Sequence, residues 1–139
     1  MASAIYNGFK KGINDNIDWV NDNIKCILVT SNYIQNVDSH VYYSDIVDEV
    51  TGSGYTTGGI ALPSTSISIN TTDDLAEYRA GYITWNPADI TALGAIIYKD
   101  TGISSTSLLI SYSDFGVVKV SINGSFRVSW ISNIVFKLA

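Results

Sequence analysis

Three kinds of residue are scarce in this chain of 139 residues, which has one cysteine, two prolines and one histidine. A single cysteine excludes a disulfide scaffold and a multi-cysteine zinc site, and so few prolines exclude a proline-rich linker. Charged residues make up only 15% of the chain, against about 25% in a typical domain, while 46% of the residues are apolar. That balance excludes a disordered tail and a coiled coil, and it predicts a single domain with its own core.

Charge is also distributed unevenly along the chain. The net charge is −5, and the eight basic residues are scattered rather than clustered. Nucleic-acid binding needs a basic stripe that neutralises several phosphates, so we expect no nucleic-acid partner. Ten of the thirteen acidic residues precede residue 80. This asymmetry predicts one acidic region and one nearly neutral region, an arrangement that suits docking onto a partner.

Long hydrophobic runs are missing too. No apolar run approaches the ~18 residues that cross a bilayer, and residues 1–11 lack the apolar stretch of a signal peptide. We therefore expect neither a membrane partner nor secretion. Cys26 lies in the apolar run 25–29, without a histidine or basic cluster near it in sequence. This setting predicts a buried, unreactive thiol.

Most of the chain has the residue patterns of β-strands. Residues 24–30 and 93–98 are continuous and apolar, as in strands that are buried on both faces. Residues 66–69 and 78–85 alternate with a period of two, which predicts strands with one buried face. Four further strands are predicted at residues 108–112, 117–122, 126–131 and 134–138.

Turn residues indicate how these strands connect. Asn123-Gly124 stands between two alternating segments and predicts a tight hairpin over residues 117–131. Short strands at regular spacing, separated by Gly, Asn and Ser, are typical of a sandwich or barrel. We therefore expect an all-β fold, an antiparallel β-sandwich or barrel, over residues 24–139.

The N-terminal segment, residues 1–23, has a different pattern. Phe9, Ile13 and Ile17 are spaced as on one face of a helix, so a short helix is predicted here. The segment is expected to be helical or extended and to belong to the same single domain.

Candidate catalytic motifs are few, and each has a structural alternative. Asp100-Thr101-Gly102 matches the aspartic-protease triplet, for which a dimer would supply the second carboxylate, but Asp and Gly also end strands in turns. His40 has no triad partner, and the glycine loop 52–59 lacks the lysine of a phosphate-binding loop. The acidic run 15–22 fits a surface turn or a weak cation site. We expect no enzyme, no metal and no cofactor.

Aromatic residues are the more informative signal, because nine tyrosines and three tryptophans stand in a chain with few charges. Their rings suit either a core or a protein interface, and the sequence leaves both open. Flexible ends and glycine loops are free to pack on a neighbour, although an ordinary surface helix and loop would look the same. The candidate partner-binding residues are Tyr6, Phe9, Trp19, Gly52, Gly54, Tyr55, Gly58 and Gly59.

Several stretches, in this order along nearly the whole chain, resemble a known family. They are Tyr6-Asn7-Gly8, Ile17-Asp18-Trp19, Asp22-Asn23-Ile24-Lys25, Ile27-Leu28-Val29-Thr30-Ser31, Tyr33, Ser44-Asp45-Ile46, the run from Glu49 to Gly59, the run from Gly94 to Gly102, Leu108-Leu109-Ile110-Ser111-Tyr112, Asp114-Phe115-Gly116, Asn123-Gly124-Ser125-Phe126 and Val135-Phe136-Lys137-Leu138. Together they are similar to a family of small virion structural proteins from tailed bacteriophages. The segment 40–43 is bulkier than in that family, and the strand 117–122 is more regular.

The resemblance implies an all-β accessory protein of the virion without catalytic residues. The expected function is capsid decoration, in which the protein binds the outside of the head and stabilises it. The expected partner is the major capsid protein or another virion protein, and a homo-oligomer, preferably a trimer on a threefold axis, is the expected assembly. The alternative is a neck, tail or fibre component, with a possible role in binding host-surface carbohydrate.

Overall fold

The computed structural model describes residues 3–12 and 17–138. Within that part of the chain lie eight strands, one short α-helix and two 3-10 turns, and no helix is long and apolar enough to span a bilayer. The strands are β1 (Ala4–Ile5), β2 (Ile24–Val29), β3 (Ile60–Ala61), β4 (Ser66–Asn70), β5 (Leu75–Arg79), β6 (Ile83–Lys99), β7 (Leu109–Val128) and β8 (Ile134–Leu138). The helix α1 is Asn7–Gly12, and the 3-10 turns are Tyr43–Asp45 and Ile131–Asn133.

The strands form two sheets, and every pairing in them is antiparallel. Sheet 1 has the strand order β1-β7-β6-β2-β3, and sheet 2 has the order β4-β5-β8. The prediction of an all-β fold is confirmed. The barrel alternative is not observed, since neither sheet closes on itself within the described residues.

The predicted hairpin over residues 117–131 is wrong. These residues fall mostly within β7, which pairs antiparallel with β6 through several register shifts, and the connection between the two strands is the loop 100–108. The Asn-Gly pair forms a bulge instead: the residue pairs Ile90–Ser121 and Ala88–Gly124 leave one unmatched residue in β7. Asn123 takes a positive φ of 48° there, so the residues that favour a hairpin turn also suit a bulge.

The predicted strand over residues 78–85 is in fact divided between the two sheets. β5 ends at Arg79 and β6 begins at Ile83, with the chain changing sheets at residues 80–82. Gly81 donates its backbone N–H to the carbonyl of Pro63 at this crossing. The buried positions change parity at this bend, from Ala80 to Ile83 and Trp85, and Tyr82 between them is exposed, which a continuous strand does not explain.

The buried residues form two clusters, and the smaller one contains Tyr6, Tyr33, Ile96 and Tyr98. In the larger one, Trp85 and Ile97 of sheet 1 are buried together with Phe136 of sheet 2 and Trp19 from the N-terminal segment. Cys26 on β2 is fully buried among them, and its burial raises the pKa of the thiol. The prediction of a buried thiol is confirmed. The prediction of a helix is confirmed for residues 7–12, and Ile13 lies outside the described residues.

Candidate docking surface

The three N-terminal residues predicted to bind a partner lie in the interior. Tyr6, Phe9 and Trp19 are at most 1% exposed. The hydroxyl of Tyr6 lies 2.6 Å from that of Tyr33, and the rings of Phe9 and Trp19 both meet Phe136 edge-on, at 5.4 and 5.5 Å between centroids. The assumption that this segment is free to pack on a neighbour is therefore wrong, because its aromatic side chains complete the core.

The glycine loop is also packed rather than free. A Cβ at Gly52 would overlap the carbonyl oxygen of Asp89, one at Gly54 would overlap that of Pro87, and one at Gly59 would overlap that of Cys26. The loop therefore lies directly on the backbones of β6 and β2, and glycine is required for that approach. Gly58 is buried, while Gly52 and Gly54 keep their outer side exposed.

Replacing Gly52 by alanine tests this close approach. We expect a loss of about 1–3 kcal/mol in the free energy of unfolding, as for other overpacked positions, because the new methyl group collides with the carbonyl of Asp89. Gly124→Ala is the matched control, since the nearest atom to its Cβ would be 3.6 Å away. Urea titrations of the two variants measure the difference, and equal losses would show that the loop can move away from β6.

A carboxylate that the sequence analysis did not identify holds the same loop. Glu49 accepts hydrogen bonds from the hydroxyls of Tyr43 and Tyr55, at 2.5 and 2.6 Å, and from the backbone N–H of Gly58 at 2.9 Å. Tyr55 in turn stacks at an angle on Trp85, with 5.7 Å between ring centroids. Charge-assisted hydrogen bonds of this kind are the strong ones, so Glu49 fixes both ends of residues 43–58.

The buried tyrosines predict how stability depends on pH. Burial raises the pKa of six phenols above the ordinary value of 10, in the case of Tyr112 to about 12, and the six are Tyr6, Tyr33, Tyr43, Tyr55, Tyr98 and Tyr112. Above pH 10 the unfolded chain therefore holds fewer protons than the folded one, and the free energy of unfolding falls as pH rises. We expect phenolate absorbance to appear together with loss of the β-sheet circular dichroism signal. Ionisation of all nine tyrosines near pH 10 with the fold intact would contradict this.

The candidate catalytic residues make hydrogen bonds that are typical of residues in turns and at the border of a core. Asp100 accepts a hydrogen bond from the backbone N–H of Gly102 at 2.8 Å and pairs with Lys25 at 3.3 Å, so the triplet forms the turn after β6. His40 is half-buried, and its Nδ1 lies 2.9 Å from the hydroxyl of Tyr33. Asp18 caps a surface turn, while Asp15 lies outside the described residues. Residues 3–12 and 17–138 bring no three His, Cys, Asp or Glu side chains close enough to hold a metal.

The most exposed strand surface lies on β7. Val118, Val120 and Ile122 alternate along this strand and are 46%, 60% and 83% exposed; we call them the β7 stripe. Val120 pairs with Thr91 of β6, also exposed, on the face that points away from the core. Beyond its short pairing with β1 at residues 111–112, β7 has β6 as its only strand neighbour in the described structure. The stripe thus follows an open edge of sheet 1.

An open groove of about 340 Å³ accompanies the same part of β7. Phe115 and Phe126 form its apolar wall, with 6.2 Å between ring centroids, and Lys119 lies on its rim. Arg127 also lines the groove and places its guanidinium 4.2 Å from the ring centroid of Tyr82. Residues 115–128 contain these two cations and no carboxylate, in a chain with a net charge of −5.

A second open edge is found in sheet 2. β4 pairs only with β5 among the described strands, and its Ile67 and Ile69, which we call the β4 stripe, are 44% and 71% exposed. Ile67 pairs with Tyr78, whose side chain is partly buried against the core. The apolar face of sheet 2 therefore continues from the core to the exposed side chains of the β4 stripe.

Sequence periodicity finds both stripes as strands but gives no measure of their exposure. Alternation shows which residues share a face, and only the tertiary fold decides whether another layer covers that face. The tryptophans show the same limit, because both Trp85 and Trp130 lie in predicted strands, yet Trp85 is buried while Trp130 is only partly buried against the core. No protein-family model, curated protein or solved structure matches this chain.

Proposed function

We propose that this chain is a non-enzymatic structural protein of a tailed-bacteriophage virion, in which it decorates the capsid from outside and stabilises it. The observation that carries the proposal is the pair of open strand edges with exposed aliphatic side chains, the β7 stripe and the β4 stripe. The resemblance to virion accessory proteins supplies the biological setting, and a sandwich of the two sheets is the architecture that we propose for the domain.

Open edges of this kind favour assembly. Soluble monomers usually protect their edge strands with charges, prolines or bulges, because unpaired backbone groups recruit further strands. β4 carries neither a charge nor a proline in residues 66–70, whereas β7 has Lys119 within its stripe and a register shift on each side of residues 119–121. The β4 edge is therefore the less protected of the two. Exposed aliphatic groups beside polar Ser, Thr and Asn side chains also match the mixed composition of protein interfaces.

A carbohydrate-binding role finds less support. Sugar platforms are exposed aromatic faces, but Trp19 and Trp85 are buried and Trp130 is partly buried against the core. Tyr82 is exposed, and Arg127 already covers one face of its ring. We therefore do not propose a carbohydrate ligand.

Co-sedimentation with capsids tests the proposed function. The purified chain is mixed with empty capsids assembled from the major capsid protein of the same genome, and the pellet is analysed by gel and by electron microscopy. We expect saturable binding, added density on the outer surface and a higher melting temperature of the capsids. Absence of binding would overturn the decoration role, and a ring of six or twelve copies at a portal or tail end would move the protein to the neck or tail.

A further inference from the structure

We propose that the β7 edge of one copy pairs with the β4 edge of a second copy, so that identical chains join head to tail in a closed ring. This inference rests on the proposed function as an assembling structural protein. It names a second copy of the chain as the partner of the two edges. It does not require capsid binding.

The backbone offers the first complementarity. Residues 119–121 of β7 pair with β6 alone, and residues 66–70 of β4 pair with β5 alone, in the described part of the molecule, so each strand keeps one edge for a further partner. The β4 segment has the usual length of a paired strand, while the regular part of β7 is a three-residue stretch between two register shifts. The contact that we propose is therefore centred on Val120.

The side chains offer the second complementarity. Ile67 and Ile69 alternate with serines on β4, and Val120 stands between Lys119 and Ser121 in the regular part of β7, beyond which Val117 and Val118 are both exposed. In one register the two stripes share a face, where each Ile can lie against a Val or Ile of the other strand, and the polar residues share the opposite face. A slip by one residue would set aliphatic groups against polar ones, so the pattern specifies the register.

Charge distinguishes this pairing from the self-pairing of two β7 edges. Residues 115–128 of β7 supply Lys119 and Arg127 and no carboxylate of their own, although Asp89 of β6 accepts a hydrogen bond from the N–H of Asn123, whereas the β4 strand leads into the exposed acidic turn of Asp73 and Asp74. Joining β7 to β4 brings opposite charges together, while joining β7 to β7 brings two cationic edges together. Like charges across a strand pair are destabilising.

The two edges belong to different surfaces of the same chain, so the contact is head to tail. Such a contact gives either a closed ring or an open filament, and only the ring pairs both the β7 edge and the β4 edge in every copy. A ring of three copies is the expected form, with a mass three times the 15.1 kDa of one chain.

Light scattering on lysine variants tests the arrangement without capsids. Val120→Lys disables the β7 edge and Ile69→Lys disables the β4 edge, and both positions are exposed, so circular dichroism should report an unchanged fold. We expect a ring for the wild type and a monomer for each variant. Ile34→Lys, at an exposed position outside both edges, is the matched control and should keep the mass of the wild type.

Mixing the two variants in equal amounts provides the decisive measurement. Each brings one intact edge, so a heterodimer with one working interface should form at the highest concentration used for the wild type. A monomeric wild type, a variant that keeps the full mass, or a mixture that stays monomeric would overturn the proposal. If Ile69→Lys remains a dimer, β7 pairs with itself instead. A ring that fails to bind capsids would leave this inference standing and overturn only the decoration role.

Discussion

Replacement of Trp19 by alanine is expected to lower the free energy of unfolding by about 3–5 kcal/mol, as for other buried tryptophans. The indole is 1% exposed and lies edge-on to Tyr78 and Phe136, and its Nε1 donates a hydrogen bond to the carbonyl of Arg79 at 2.9 Å. Truncation leaves a cavity at the junction of the N-terminal segment with sheet 2 and removes the donor to that carbonyl. Small domains have only about 5–15 kcal/mol of stability, so the melting temperature should fall by about 10–20 °C.

Two further variants separate the causes of that loss. Trp19→Phe keeps an aromatic ring and loses the hydrogen bond to Arg79, so it should cost less than the alanine variant. Val20→Ala, next in the chain but 49% exposed, should stay within about 0.5 kcal/mol of the wild type. Calorimetry and urea titration measure all three, and a loss below about 1 kcal/mol for Trp19→Ala would contradict the observed burial.

Removal of the Glu49 carboxylate is expected to cost about 2–4 kcal/mol, because hydrogen bonds to a charged group contribute about 1.5–3 kcal/mol each and neighbouring bonds do not add fully. In Glu49→Ala, the hydroxyls of Tyr43 and Tyr55 and the N–H of Gly58 all lose their acceptor. The loop 51–59 should then separate from β6 before the rest of the domain unfolds. Hydrogen exchange should show this as faster exchange at Tyr55 and Gly59, whose N–H groups donate within the loop.

The matched control for Glu49 is its neighbour. Asp48→Asn removes the same charge at a side chain for which the described structure shows no hydrogen bond, so its stability should stay within about 0.5 kcal/mol of the wild type. Glu49→Gln keeps the shape and one acceptor oxygen and should fall between the alanine variant and the wild type. If Glu49→Ala and Asp48→Asn behave alike, the three hydrogen bonds add nothing to stability.

Local patterns in the sequence predict the all-β character, the buried strand segments 24–29 and 93–98 and the buried thiol, but not the strand boundaries over residues 78–85 and 117–131. The continuous run 93–98 is buried on both faces within β6, because a central strand is covered on both sides and needs apolar residues throughout. Cys26 is buried on β2 for the same reason. These features depend on residues next to one another, which a single sequence shows directly.

Features that depend on distant residues were missed. The contact of Trp19 with the carbonyl of Arg79 joins residues 60 apart, and nothing in residues 17–23 indicates that partner. Glu49 could not be distinguished from the other acidic residues in the sequence, because only the fold places the hydroxyls of Tyr43 and Tyr55 around its carboxylate. The Asn-Gly pair misled for a related reason: its local preference for a positive φ is real, but the pairing of β7 with β6 decided that it forms a bulge.

The long β6–β7 pairing also has a consequence for the order of folding. Its two strands follow one another in the chain and are joined by a nine-residue loop, so they can meet at a small entropic cost. β2, in contrast, pairs with a strand about 70 residues further along the chain, and such distant contacts form slowly. We therefore expect the C-terminal hairpin to form first and the N-terminal aromatics to dock last. A chain emerging from the ribosome can pair β4 with β5 early, but it cannot complete the docking of Trp19 or the pairing of β2 until Phe136 and β6 have been synthesised.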